Sequence, residues 1–187
     1  MTREHVCPLW VGYLLASPVR RFVQNPESIV EPFVREGMRV LEIGPGMGFF
    51  TLPMARIVGP SGKIVTIDIQ ERMLRVLRRR AARTGLAAGI DCRLATAGSL
   101  QIDDLRGSVD FTLAMAVVHE VSDTKRMFEE IHAAMKPGGK VLVADPVSHF
   151  SKHAFDDALS LAEALGFLRS AGPVIWRSWS AVLTNTG

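Results

Sequence analysis

The stretch that decides the fold is Val40-Leu41-Glu42-Ile43-Gly44-Pro45-Gly46-Met47-Gly48. An apolar, β-branched run at 38–43 predicts a buried strand, glycines then occupy every second position, and residues 49–58 have the pattern of a helix. Glycine lets a backbone turn sharply and approach a ligand closely. The amide groups at the start of the following helix face that turn. The stretch therefore predicts a strand, a ligand-binding turn and a helix in direct succession.

Strand and helix patterns alternate along the rest of the chain. Further strands are predicted at 63–69, 90–94, 109–116 and 140–144, with one or two more within 174–184. Further helices are predicted at 71–83, 124–135 and 153–165. Asn25 is predicted to cap an earlier helix that has Pro26 at its first position and ends at Gly37. This alternation predicts an α/β fold, a three-layer sandwich whose mostly parallel sheet of about seven strands carries helices on both faces.

Length and composition set the domain organisation. The chain has 187 residues, of which 48% are hydrophobic and 22% charged, and this suits one domain with a core of useful size. We divide it into an N-terminal helical segment, residues 1–36, and a ligand-binding core, residues 37–187. The start of the sequence lacks the apolar core of a signal peptide. Two cysteines without metal-ligand spacing, Cys7 and Cys92, favour a reduced cytoplasmic protein.

The net charge of +3 comes largely from the predicted helix at 71–83. At 100° per residue its apolar side chains fall on one arc and its arginines on the opposite one, the arginines being Arg72, Arg75, Arg79 and Arg83. A basic face of this kind is typical of a solvated helix, and no aromatic side chains are interleaved with it. We therefore expect no nucleic-acid partner.

The residues around the glycine turn indicate the chemistry of the ligand. Glu42 lies two residues before Gly44, and the turn has the spacing G-x-G-x-G rather than the G-x-G-x-x-G of a nicotinamide or flavin site. A carboxylate here repels a pyrophosphate and attracts an ammonium group. Asp68 ends the second predicted strand, where a carboxylate accepts hydrogen bonds from the two hydroxyls of a ribose. These features favour S-adenosylmethionine, which carries an ammonium and a sulfonium and no phosphate.

Three segments together resemble the class I S-adenosylmethionine-dependent methyltransferases: residues 40–48, residues 63–69, and the run from Met135 through Lys-Pro-Gly-Gly to Asp145. The general look is nearest to the ubiquinone and menaquinone biosynthesis methyltransferases, and the resemblance covers about residues 30–184. It implies a Rossmann-like fold, S-adenosylmethionine as cofactor, and methyl transfer to a small molecule. It is specific for the cofactor and weak for the identity of the acceptor.

The resemblance also implies a set of cofactor-binding residues: Glu42, Gly44, Gly46, Gly48, Asp68, Ile69, Thr96, Ala97 and Met115. Glu42 and the three glycines would hold the methionine part, Asp68 the ribose, and Ile69 the adenine. The family often has an aspartate after the third strand to meet the adenine amine. Thr96 stands there in this chain, so adenine recognition would rest on a weaker hydroxyl or on the Ala97 backbone amide. Met115 would lie beside the cofactor.

His119 follows the fourth predicted strand and is the candidate general base, because histidine exchanges a proton near neutral pH. The alternative is a histidine that packs or hydrogen-bonds beneath the loop. Asp145 is interpreted as a turn residue before Pro146 rather than as a substrate-pocket group. Residues 115–117 supply no acid for a catechol-type metal site, so we expect no metal. Arsenite methylation would need several suitably placed thiols, and the positions of Cys7 and Cys92 disfavour it.

The N-terminal segment contributes Trp10 and Tyr13, which would either form an aromatic lid over the substrate or belong to an ordinary helix on the sheet. Two alternatives to small-molecule methylation stay open: an RNA or protein acceptor, and a module that binds S-adenosylmethionine without catalysis. A short-chain oxidoreductase is excluded because Tyr13 is the sole tyrosine and has no lysine four residues later. The oligomeric state is expected to be a monomer or a homodimer.

Overall fold

In the computed structural model the described residues are 24–96 and 98–187. Seven strands form one sheet: β1 Arg39–Ile43, β2 Lys63–Asp68, β3 Ile90–Leu94, β4 Val109–Met115, β5 Met135–Pro146, β6 Phe167–Ala171 and β7 Ser178–Asn185. Their order across the sheet is β3-β2-β1-β4-β5-β7-β6. Strands β1 to β5 pair in parallel, and β7 runs antiparallel to both β5 and β6. The predicted mostly parallel sheet of seven strands is confirmed.

Within the described residues, five helices cover the two faces of this sheet: α1 Pro26–Val30, α2 Thr51–Val58, α3 Glu71–Arg83, α4 Thr124–Ala134 and α5 Lys152–Ala164. Successive strand residues point to opposite faces, so Val40 and Leu41 enter different apolar clusters. The cluster around Leu41 is completed by α4 and α5, and the cluster around Val40 by α1 and α2. The three-layer arrangement therefore follows from strands that are apolar on both sides.

Helix α3 has the two faces that its sequence predicts. Met73, Leu74, Leu77 and Ala81 are buried, while the four arginines of the opposite arc are exposed. None of the helices in the described ranges combines the length and apolar character that crossing a membrane requires. The predicted ends of α2, α3, α4 and α5 agree with the structure to within two residues.

The first helix is capped as predicted but is shorter. The Asn25 side chain accepts hydrogen bonds from the backbone N–H groups of Glu27, at 3.0 Å, and Ser28, at 3.4 Å. Helix α1 then ends at Val30 instead of continuing towards Gly37. Pro32 explains the early end, because proline has no N–H to continue the helical hydrogen bonds. Val30 and Val34 are still buried against the sheet.

Two predicted strands need correction. Strand β5 begins at Met135 rather than at Lys140, and its register with β4 shifts between Val109 and Phe111. The Lys-Pro-Gly-Gly run therefore forms an irregularity inside a strand, with Gly138 at φ +77°, and not a separate turn. The last strands form a hairpin, and its first member, β6, lies before the range 174–184. Strand β6 is a largely exposed edge strand, so no apolar alternation marked it.

The sheet order reverses at β1, which lies between β2 and β4. In parallel sheets of this kind, ligands bind beyond the carboxyl ends of the strands at such a switch point. The segments that follow β1, β2 and β4 meet there, and they contain most of the candidate residues. Ala97 and all candidates of the N-terminal segment before residue 24, including Cys7, Trp10 and Tyr13, lie outside the described residues.

Candidate active site

The glycine turn is closed by packing on two sides and open on the third. All three glycines have positive φ: +70° at Gly44, +52° at Gly46 and +85° at Gly48. A Cβ atom on Gly48 would lie 2.4 Å from Cδ1 of Leu77, and one on Gly44 would lie 3.0 Å from Cγ2 of Val117. A Cβ on Gly46 would meet nothing within 4 Å among the described atoms. The backbone at Gly46 is therefore the part of the turn that a ligand can approach closely.

Glu42 is a buried carboxyl group directly before this turn. It is 2% exposed, and Thr51 Oγ1 donates a hydrogen bond to its Oε2 at 2.6 Å. Burial raises the pKa of Glu42 to about 7, and the bond from Thr51 opposes that rise only in part. A positive charge brought into the turn would favour the ionised form of this group. A cation bound in the turn would therefore pair with Glu42 and compensate its negative charge.

Asp68 ends β2 and lies against the same turn. Its Oδ1 accepts a hydrogen bond from the Gln70 N–H at 2.8 Å. Burial raises the pKa of Asp68, and the N–H groups of Gln70 and Gly46 lower it. The Gly44 N–H donates to the carbonyl oxygen of Ile67 at 2.9 Å, which ties the turn to the end of β2. The structure thus brings the two acids and the glycine turn together.

The remaining cofactor candidates surround this centre with different exposure. Ile69 follows Asp68 and is 50% exposed, so its apolar surface is available to a flat ligand. Met115 ends β4 and is buried in the apolar cluster of α1 and α2. Thr96 is exposed beyond β3, where its hydroxyl donates to the carbonyl oxygen of Ser99 at 3.4 Å. The Thr96 hydroxyl oxygen is free to accept a hydrogen bond from a ligand while it keeps this contact.

His119 lies in a short 3-10 turn, Val118–Glu120, that follows β4. Its Nδ1 is hydrogen-bonded to Oδ1 of Asp145, and its backbone N–H donates to the same oxygen at 3.4 Å. The bond to Asp145 raises the pKa of His119, and partial burial opposes that rise. The ring stacks on that of His149, with centroids 5.7 Å apart and an angle of 15° between the planes.

The interpretation of Asp145 as a turn residue is wrong. It lies inside β5, opposite Trp179 of β7, and is fully buried. Sequence reasoning missed the pair because 26 residues separate His119 from Asp145. The signal that could have revealed it is an acid at the end of an otherwise apolar strand, next to the strand that carries a histidine.

Four carboxyl groups lie in this region: Glu42, Asp68, Glu120 and Asp145. Burial is the main reason for the raised pKa of Glu42 and of Glu120, and the charge of Asp68 adds to both. Asp145 also contributes to the raised pKa of Glu120. Since the charge of one acid disfavours ionisation of its neighbours, a cation bound among them would favour their ionised forms. Within residues 24–96 and 98–187, no three histidine, cysteine or acidic side chains gather in a way that could hold a metal ion.

The chain is similar in sequence to known methyltransferases. The sequence model of the family described as "Methyltransferase domain" matches residues 34–181. The ubiquinone/menaquinone biosynthesis C-methyltransferase of Pasteurella multocida is 32% identical over 123 residues, which are 66% of this chain and 44% of that protein. An arsenite methyltransferase of Halobacterium salinarum is 31% identical over 123 residues, covering 66% of this chain and 30% of that protein. The chain spans about half the length of the first curated relatives it matches.

The fold has a solved counterpart of similar size. The crystal structure of a SAM dependent methyltransferase from Aquifex aeolicus superimposes with a TM-score of 0.82 at 22% identity. The match covers 96% of this chain and 98% of that one. The Rossmann-like fold and the resemblance inferred from residues 40–48, 63–69 and 135–145 are confirmed. Because the family model spans residues 34–181, the chain belongs to the methyltransferase-domain family.

Proposed function

We propose that this chain binds S-adenosylmethionine and transfers its methyl group to a small-molecule acceptor by direct displacement. The observation that carries the proposal is the group of carboxyl side chains around an open glycine turn, at the switch point of the sheet, with a histidine beside it. S-adenosylmethionine has two cationic centres and no phosphate. Acidic side chains at the turn would therefore attract it and would repel the pyrophosphate of a dinucleotide. Membership of the methyltransferase-domain family supports the same cofactor.

The cofactor would be held by residues of four neighbouring segments. Glu42, a buried carboxyl group, would pair with the ammonium of the methionine part. The open backbone at Gly46 would approach its carboxylate. Asp68 would accept hydrogen bonds from the ribose hydroxyls, and the half-exposed Ile69 would pack on the adenine. The other candidates, Gly44, Gly48, Thr96, Ala97 and Met115, would shape the turn and the adenine end of the site.

His119 would take the proton of the acceptor. Bound S-adenosylmethionine supplies a methyl group that the sulfonium has already activated, so the protein mainly has to align the acceptor and remove its proton. The ring nitrogen available for this is Nε2, because Nδ1 is bonded to Asp145. Held by Glu42, Asp68 and the backbone at Gly46, S-adenosylmethionine would supply the methyl carbon and leave as S-adenosylhomocysteine, while Nε2 of His119 would receive the proton of the acceptor.

A small organic acceptor fits the described residues better than arsenite or a nucleic acid. The Pasteurella multocida relative is named as a C-methyltransferase of quinone biosynthesis. Cys92 is half-buried in β3 and burial raises the pKa of its thiol, which disfavours the thiolate that arsenic binding needs. The four arginines of α3 on the arc opposite the core are exposed, and Arg78 of the same helix pairs with Glu71 at 2.8 Å. We propose that this basic face is a solvated surface and that the protein acts as a monomer or homodimer.

The test is calorimetric titration of the whole chain with S-adenosylmethionine, S-adenosylhomocysteine and NAD. We expect the two sulfur compounds to bind and NAD to give no heat of binding. Asp68→Asn should weaken the binding of both sulfur compounds at least about tenfold, the loss expected for one hydrogen bond to a charged group. Asp157→Asn is the matched control, since it removes the same charge from an exposed position on α5. A folded protein that binds neither sulfur compound would refute the proposal.

A further inference from the structure

The Asp145 carboxyl group is buried more completely than its hydrogen bonds explain. It is 0% exposed, and the two hydrogen bonds to its Oδ1 both come from His119, one from the ring and one from the backbone. Among the described residues, none donates a hydrogen bond to its buried Oδ2. A carboxylate is costly to bury unless it is paired and hydrogen-bonded. Because His119 is the hydrogen-bond partner of this side chain among the described residues, the burial of Asp145 indicates a role at His119.

The bond to Asp145 determines which ring nitrogen of His119 carries the proton. A histidine nitrogen that faces a carboxylate is the protonated one, and the other nitrogen is then an acceptor. The second nitrogen, Nε2, lies 3.8 Å from Oε1 of Glu120, which is too far for a hydrogen bond. The stacked ring of His149 restricts the plane of the imidazole from the loop after β5. In the neutral ring, Nε2 would then be the unprotonated nitrogen, at the carboxyl edge of the sheet.

We propose that Asp145 is a positioning residue that holds His119 in the Nδ1-protonated tautomer, so that Nε2 is free to accept the proton of the methyl acceptor. The part of this inference that concerns Nε2 as a base rests on the proposed function, while the tautomer does not. When Nε2 takes the proton, the ring becomes an imidazolium whose Nδ1–H still donates to Asp145. The carboxylate therefore orients the neutral ring before the transfer and stabilises the charged ring afterwards.

The charged groups around His119 come from several elements. Asp145 faces Nδ1 from β5, Glu120 approaches Nε2 from the same 3-10 turn, and the ring of His149 covers one side from the loop after β5. Asp68 of β2 acts on Glu120 from the cofactor side. Among these, Asp145 is the group in direct contact with the ring nitrogen, so its removal should have the largest effect on the titration of His119.

Long-range proton–nitrogen NMR spectra of ¹⁵N-labelled protein test the tautomer directly. The His119 signals are assigned by their loss in His119→Gln, and the spectra are recorded from about pH 5 to pH 9 with and without S-adenosylhomocysteine. In the wild type we expect the neutral ring to be protonated at Nδ1. In Asp145→Asn we expect a mixture of tautomers and a pKa of His119 lowered by about 1 to 3, the effect of losing an adjacent opposite charge.

The α5 surface offers a matched control pair of the same residue types. His153 Nδ1 lies 2.8 Å from Oδ2 of Asp157, with both side chains largely exposed. Asp157→Asn should leave the spectrum of His119 unchanged and move the titration of His153 only slightly, because solvent screens that pair. This control separates the effect of a buried carboxylate from that of any histidine–carboxylate contact.

Two results would overturn the proposal. One is a wild-type His119 that is protonated at Nε2 in its neutral form, which needs no variant and is independent of whether Asp145→Asn folds. The other is a folded Asp145→Asn protein whose His119 keeps the wild-type tautomer and pKa. Absence of binding of S-adenosylhomocysteine would instead refute the proposed function and leave the tautomer result intact, so the two failures are distinguishable.

Discussion

Replacing Glu42 with glutamine should make the protein more stable at and above neutral pH. Glu42 is buried before the glycine turn, and its burial raises its pKa from the ordinary 4.5 to about 7. In the unfolded chain the group ionises freely in water, whereas in the folded protein it must ionise in a buried place. Glutamine has nearly the same shape, accepts the hydrogen bond of Thr51 and does not ionise.

The sign and size of the effect follow from the two pKa values. Below pH 4.5 the group is protonated in both states and carries no penalty. As the pH rises towards 7 the unfolded state loses its proton first, so folding stability falls, and the loss is complete above that pH. A pKa difference of about 2.5, at about 1.4 kcal/mol for each pH unit, makes the full loss roughly 3 kcal/mol.

The assay is urea unfolding of wild type and Glu42→Gln from about pH 5 to pH 8.5, without cofactor. Other groups titrate over this range in both proteins, so the quantity of interest is the difference in the free energy of unfolding between the two. We expect this difference to move by roughly 2 to 3 kcal/mol in favour of the variant as the pH rises. Glu36→Gln, which makes the same substitution at an exposed position, is the matched control.

Parallel pH profiles for wild type and Glu42→Gln would show that the carboxyl group is not perturbed. The reasoning that places a poorly solvated acid at the turn would then be wrong, and with it the electrostatic part of the cofactor proposal. A difference of the opposite sign, with the variant losing stability as the pH rises, would mean that a buried cation already compensates Glu42.

Two further predictions concern the cofactor. Gly46→Ala and Gly85→Ala both place a Cβ in open space at positive φ, +52° and +73°, so each should lower stability by about 1 kcal/mol. Only Gly46→Ala should weaken S-adenosylmethionine binding, by tenfold or more on calorimetry, and equal affinities would remove Gly46 from the site. If the ammonium of S-adenosylmethionine meets Glu42, binding near pH 7 should release up to about half a proton, because a carboxyl group with a pKa of about 7 is half protonated there and a cation lowers that pKa. Calorimetry in buffers of different ionisation enthalpy measures this release, which should be lost in Glu42→Gln, and equal release by both proteins would contradict the contact.

The order of the secondary structure elements could be predicted from the sequence because it depends on local patterns. The apolar arc of α3, the cap at Asn25 and the glycine turn after β1 each involve residues within a few positions of one another. The same holds for the acids Glu42 and Asp68, whose place at the end of a strand follows from the alternation of strands and helices. Local patterns of this kind also gave the family resemblance and the cofactor.

Only the tertiary structure decided how the site is assembled and how its groups ionise. The bond between His119 and Asp145 depends on the pairing of β4 with β5, in which Met115, the last residue of β4, faces Ala144, the residue before Asp145. The edge strand β6 and the early start of β5 were likewise decided by pairing partners distant in sequence. The physical reason is that a pKa and a side-chain pair are set by depth of burial and by neighbours across the sheet. Neither the pKa nor the side-chain pair can be predicted from a single stretch of sequence, because both arise only when the strands lie side by side.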